Sequence, residues 1–154
     1  MKPLLTLLFV TLSFVGMTQQ NHKQKKEEIK AQKIAFLTTE LSLTEKESEK
    51  FWPVYNEYDA KMMANRKAHR SIIKKLKKFD ELSGDEAYSL SEQIIQLETE
   101  RAQIRKEYLP KFSKVLGKKK GAKVFYAEEK FKRQLLRKIR NANQPQRNNP
   151  PVRP

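Results

Sequence analysis

Residues 43–79 read LTEKESEKFWPVYNEYDAKMMANRKAHRSIIKKLKKF, and this stretch decides the fold. Thr44 followed three residues later by Glu47 is a capping box: the hydroxyl accepts from the backbone N–H of Glu47, and the carboxylate reaches back to that of Thr44. From there Phe51, Tyr55, Tyr58, Met62, Asn65, His69, Ile72, Leu76 and Phe79 recur in alternating steps of four and three. Such a heptad seam is a narrow stripe that buries against another helix. At a rise of about 1.5 Å per residue the stretch predicts a rod of roughly 50 Å, too long to stand alone in water.

The covering partner follows at once. Asp80–Leu82 reads as a short turn, and Ser83 with Glu86 repeats the capping box. A second seam then runs Ala87, Leu90, Ile94, Leu97, Arg101, Ile104, Tyr108. A short connection makes the two helices antiparallel neighbours. Aligning the seams about the turn sets Phe79 by Ala87, Ile72 by Ile94, Met62 by Ile104 and Tyr58 by Tyr108. The same register puts Asn65 opposite Arg101, and facing polar residues satisfy each other, so a hydrogen bond between this pair is expected. Pro53 and Pro110 fall inside the two helices at one level of the hairpin, where each removes a backbone hydrogen bond and bends its helix. The expected shape is a shallow arc.

The rest of the chain agrees with an all-α class. Its 154 residues suit one domain with a modest core, and they include only four glycines. There is no cysteine, which excludes a disulfide framework, a thiolate nucleophile and a lipid-modified cysteine. Met1-Lys2, the apolar run Leu4–Val15 and the small residues of Gly16-Met17-Thr18 predict a secretory signal peptide over residues 1–18, cut before Gln19. The run is too short for an ordinary membrane span. The processed protein is therefore expected to be soluble and periplasmic, with no transmembrane segment. Residues 19–140 form the helical-hairpin domain in this reading. Asn21–Glu40 is a first helix carrying Ile29, Ile34, Leu37 and Leu41 on one side. Gly117 stops the hairpin's second helix, and Ala122–Arg140 follows with Val124, Phe131, Leu135 and Ile139 on its apolar face. Residues 141–154, rich in Asn, Gln, Pro and Arg, have almost nothing to bury and are expected to be a disordered tail.

A faint internal repeat joins the two ends of the domain: Leu43-Thr44, Phe51-Trp52 and Tyr58 recur at one constant offset as Leu116-Gly117, Val124-Phe125 and Phe131. Leu43-Thr44-x-x-Glu47 followed by Phe51-Trp52-Pro53-x-Tyr55, with the later Phe125-x-x-Glu128-Glu129-x-Phe131, resembles the Spy/CpxP-like (LTxxQ) periplasmic helical proteins. The nearest likeness is to the branch from Bacteroidota described as sensors of ECF-type sigma factors. The resemblance implies a small non-enzymatic helical hairpin, often an intertwined curved homodimer, that acts as an ATP-independent chaperone, an envelope-stress regulator or a metal-responsive sensor. Glu47 stands where the motif has glutamine, and the second copy reads Leu116-Gly117-x-x-Lys120.

Catalysis has little footing. Triad or paired-carboxylate chemistry needs groups that converge in a pocket, whereas the acids here are spread along helix faces. No enzymatic activity and no cofactor are expected. Met62, Met63 and His69 offer soft and borderline donors on part of one helix, the weaker alternative of a metal sensor. The strongest signal beyond the core is charge. With 33 Lys+Arg against 18 Asp+Glu the net charge is +15. Lys61, Arg66, Lys67, Arg70, Lys74, Lys75, Lys77 and Lys78 crowd one segment that has no acid, and Lys111–Lys123 is a second such segment. Such faces attract acidic polypeptide, anionic lipid or cell-surface polymer. Nucleic acid is set aside because the signal peptide sends the chain out of the cytoplasm. Trp52, Met63, Ile73, Ile95 and Phe125 widen the apolar stripes beyond one hairpin partner, so the flanking helices or a second copy are expected to cover them. The candidate client or partner surface is Arg66, Lys67, Arg70 and Lys74 with Met63 and Ile73. Two functional readings stand: an envelope-stress sensor passing its message to a membrane-bound regulatory partner of an ECF-type sigma-factor pathway, or a holding chaperone for unfolded or acidic clients. A surface-adhesive envelope protein is a blander third.

Overall fold

A computed structural model describes residues 15–142, and the side chains of residues 24–142. Four α-helices follow in order: α1, Val15–Glu40; α2, Glu45–Leu76; α3, Gly84–Leu116; and α4, Lys118–Ala142, with a 3-10 turn at Phe79–Glu81. Among the described residues there is no strand. The predicted signal peptide lies outside the described residues except for its last four positions, and so does the tail from residue 143. The two outer helices differ from expectation in their bounds. α1 begins at Val15 rather than Asn21, and α4 spans Lys118–Ala142, extending the expected helix at both ends and taking in Asn141 and Ala142.

Both capping boxes form. The Thr44 hydroxyl accepts from the Glu47 N–H at 3.3 Å while Glu47 accepts from the Thr44 N–H at 2.9 Å. Ser83 and Glu86 repeat the geometry at 3.3 and 2.9 Å. α2 and α3 run on through Pro53 and Pro110, both of which face solvent. The carbonyls they orphan belong to Glu49 and Lys106, also exposed, so water can take the lost hydrogen bonds. α3 ends at Gly117, whose φ of 80° lies in the region that favours glycine, and α4 starts with the next residue.

The hairpin register is the expected one over its inner half. The Tyr58 and Tyr108 rings lie 5.4 Å apart, and Met62 and Ile104 share one buried cluster. Two details depart from the expected seam. α2 stops at Leu76, so Phe79 sits in the 3-10 turn, exposed to solvent. The chain has to reverse before Ser83, and Ala87 across the turn offers only a methyl group to bury it against. Asn65 is 5% exposed, but its partner is not Arg101. The amide Nδ2 donates to the Leu97 carbonyl at 2.9 Å and to the Glu100 carboxylate at 3.0 Å. The level is right, because the Leu97 carbonyl is the one that accepts from the Arg101 N–H inside the helix. A backbone oxygen on the seam is closer than a long guanidinium stem.

The core sits at one end of the hairpin. Leu37 of α1, Leu41 of the turn after it, Phe51, Tyr55, Tyr58 and Met62 of α2, Ile104, Tyr108, Phe112 and Leu116 of α3, and Val124 and Ala127 of α4 form one buried cluster. Gly121 lets α4 lie directly on α3, where a Cβ at this position would come within 2.6 Å of the Ser113 backbone. Beyond the core, α2 and α3 continue as a two-helix arm in which Ile72 and Leu90 are buried. The cross-helix ion pairs and ring contacts of α1 and α4 fall on the core half of the hairpin, no farther along α2 than Asp59 and no earlier in α3 than Arg105. The flanking apolar residues therefore divide. Trp52 and Phe125 are packed on the core, while Met63, Ile73 and Ile95 remain exposed, Met63 at 56% and Ile95 at 63%. Ile29, Ile34 and Ile139, read as buried-face residues of the outer helices, are also exposed.

Candidate functional site

The family-like motif builds a joint rather than a pocket. Leu43 and Trp52 pack on the core, Phe51 and Tyr55 are buried in it, Pro53 is exposed, and Thr44 and Glu47 close the cap. Glu47 also binds Lys120 of α4 at 2.8 Å. These residues stand 73 positions apart, the offset of the internal repeat. So do Tyr55 and Glu128, joined by a 2.6 Å hydrogen bond. Two pairs that share the repeat offset thus touch across the joint, Glu47 with Lys120 and Tyr55 with Glu128.

Glu128 is the residue that sequence reasoning quoted but did not single out. Its carboxylate accepts from Tyr55 at 2.6 Å and from Tyr58 at 2.9 Å, tying α4 to α2 from inside. Burial, and next the Glu128 carboxylate, push both phenols far above their ordinary range. Tyr55 and Glu128 share the repeat offset, but an offset alone does not bring two residues into contact, and the crossing of α4 over α2 does that. At the outer edge of the same joint, Glu40 accepts from Lys130 at 2.7 Å and pairs with Lys123 at 3.4 Å. The Lys130 hydrogen bond holds the Glu40 carboxyl below its ordinary value, and Lys120 does the same for Glu47.

This pattern sets a pH dependence. Carboxyls whose folded-state pKa is depressed contribute stability that is complete above the unfolded value and is lost as pH falls through the folded one. The melting temperature should therefore hold steady on acidification down to about 4.5, the ordinary carboxyl value, and fall below it. Glu40→Gln with Glu47→Gln should flatten that acid limb. An unchanged acid limb in the double variant would show that these pairs do not carry it.

The basic face lies on the arm. Met63, Arg66, Lys67, Arg70 and Lys74 are all exposed; Met63, Lys67, Arg70 and Lys74 sit on the side of α2 turned away from the buried seam, with Arg66 and Ile73 at its edge. Of the eight cations between Lys61 and Lys78, Lys61 pairs with Glu107, Arg66 with Asp59 and Lys78 with Glu81. Lys67, Arg70, Lys74, Lys75 and Lys77 have no ion-pair partner among the described residues. The structure thus keeps the six predicted surface residues on one exposed region. It separates the soft donors: Met62 is buried in the core, whereas Met63 points to solvent. Among the described residues no three His, Cys, Asp or Glu side chains gather as a metal-holding group. Two open depressions lie elsewhere, one around Glu45, Glu49 and Trp52 and one at the hairpin tip around Lys78, Glu81 and Leu82.

The fold and its surfaces define an all-α protein with an aromatic core at one end and a projecting two-helix arm. No family model, curated protein or solved structure matches the chain.

Proposed function

We propose that this chain is a non-catalytic, secreted envelope protein that holds acidic or unfolded polypeptide on the outer face of α2 without ATP. The observation that carries the reading is the arm itself: five cations without ion-pair partners among the described residues, beside the exposed Met63 and Ile73. Charge steers an acidic chain to this face, and the apolar side chains give it something to bury. The resemblance to the LTxxQ periplasmic proteins, a group that includes holding chaperones, points the same way.

The test is light scattering of a denatured acidic client with the processed protein. The wild type should suppress aggregation at equimolar ratio. Lys67→Gln, Arg70→Gln and Lys74→Gln together should raise the concentration needed by roughly tenfold, since steering by charge is worth about that much or more. The three side chains are exposed, so the melting temperature should hardly move. No suppression by the wild type, or equal suppression by the triple variant, would sink the proposal.

A regulatory reading deepens this one. Among the described residues no helix is long and apolar enough to cross a membrane. A stress sensor of this kind would pass its message through a membrane-spanning partner, the arrangement suggested by the likeness to sensors of ECF-type sigma factors. Capture of such a regulator from envelope extract by the wild type, and not by the triple variant, would support it.

A further inference from the structure

We propose that the free end of α4 is a docking site for an anionic lipid surface. From Lys130 to Ala142 the helix carries no acid. Lys132, Arg133, Arg137, Lys138 and Arg140 are all exposed and have no ion-pair partner among the described residues. At 100° per residue, Leu135, Leu136 and Ile139 fall on one strip together with Lys132, with Arg133 and Arg140 along one edge and Lys138 toward the other. Leu135 is half-buried, but Leu136 is 56% exposed and Ile139 47% exposed. A strip of this kind on a surface helix is normally turned inward, and here it continues past the end of the core.

α1 runs beside α4. Glu40 pairs with Lys123 and Phe36 packs on Phe131 with ring centroids 5.6 Å apart, so the two helices run antiparallel. Ile29, farther back along α1, therefore lies toward the free end of α4, and it too is exposed. An exposed apolar strip flanked by cations on a surface helix suits the headgroup boundary of a bilayer, where the side chains enter the acyl edge and the cations meet phosphate. The charge complement is an anionic leaflet. No described helix is apolar enough to span, so the contact is peripheral.

The experiment is co-sedimentation of the processed chain, from Gln19, with vesicles of mixed phosphatidylglycerol and phosphatidylcholine and with pure phosphatidylcholine. That chain keeps the whole buried core, which runs from Leu37 to Ala127. Binding is expected to the anionic vesicles and not to the neutral ones. Arg133→Gln, Arg137→Gln and Arg140→Gln together should weaken it by roughly a hundredfold, each cation near such a surface being worth about fivefold. Leu136→Ser with Ile139→Ser leaves the charge unchanged and should weaken it by about tenfold. The Lys67, Arg70 and Lys74 triple variant should bind as the wild type does, which separates this site from polypeptide holding on the arm. The proposal is overturned by absence of binding to anionic vesicles, by loss in the arm variant alone, or by full binding of the Leu136–Ile139 variant, which would mean adsorption by charge only. It is also overturned if the serine pair converts a dimer to a monomer while no variant binds vesicles, since the strip would then be covered by a second copy.

Discussion

Phe112→Ala is expected to destabilise the fold by about 3–5 kcal/mol, a large share of the roughly 5–15 kcal/mol that holds a typical domain together. Phe112 is fully buried and its ring meets Phe51, Tyr55, Tyr58, Tyr108 and Phe125, with centroid separations from 5.4 to 6.2 Å. It is the one ring in contact with all the others of the central cluster, so truncation leaves a cavity bordered by groups on α2, α3 and α4. Relaxation is restricted because Tyr55 and Tyr58 are held by the Glu128 carboxylate and cannot swing into the space without breaking that bond. Phe112→Leu keeps much of the volume and should cost less than half as much. Urea melts followed by tyrosine fluorescence would measure both. Equal, small losses in the two variants would show that the cluster is not the stabilising centre.

Gly121→Ala should also be costly, about 1–3 kcal/mol, although alanine is the better helix former at an open position. The added methyl would stand 2.6 Å from both the Cα and the N of Ser113. A flexible tip could rotate away, but those atoms are helix backbone, and Ser113 Oγ is already bonded to the Leu109 carbonyl at 2.8 Å. α4 would have to lift from α3, lengthening the Glu128–tyrosine contacts and the Glu47–Lys120 pair together. Gly84→Ala is the control. Nothing lies within 4 Å of a Cβ there and no positive φ has to be kept, so it should be neutral or stabilising by up to about 1 kcal/mol. If both glycines respond alike, helix propensity and not the α3–α4 approach governs Gly121. Loss of polypeptide holding in Gly121→Ala, with the α2 face untouched, would further show that the arm needs its anchored base.

Periodicity alone determined the hairpin. The seam residues Tyr58, Met62, Ile104 and Tyr108 were legible because a stripe of heptad spacing has one way to be buried, against a second such stripe. The two capping boxes were equally legible, since their hydrogen bonds join residues three apart and need nothing from the rest of the chain. The candidate surface of Arg66, Lys67, Arg70, Lys74, Met63 and Ile73 followed from charge without acid on one helix. What the tertiary structure decided is where that information stops. The partner of Asn65 is the Leu97 carbonyl and Glu100 rather than Arg101, because a backbone oxygen lies on the seam wherever the helices touch, and the sequence pattern does not display it. Phe79 fell outside the helix because the reversal before Ser83 takes residues that the heptad would have kept. Glu128 became a central ligand of two tyrosines only when α4 crossed α2, and no local rule sets that crossing. Met63 and Ile95 stayed exposed while Trp52 and Phe125 were covered, although all four look alike along the chain. The difference is distance from the two positive-φ joints, Ser42 at 48° between α1 and α2 and Gly117 at 80° between α3 and α4, which direct α1 and α4 onto the core half of the hairpin. Burial of a stripe is a property of its own helix, but its coverage depends on where the neighbouring helices turn.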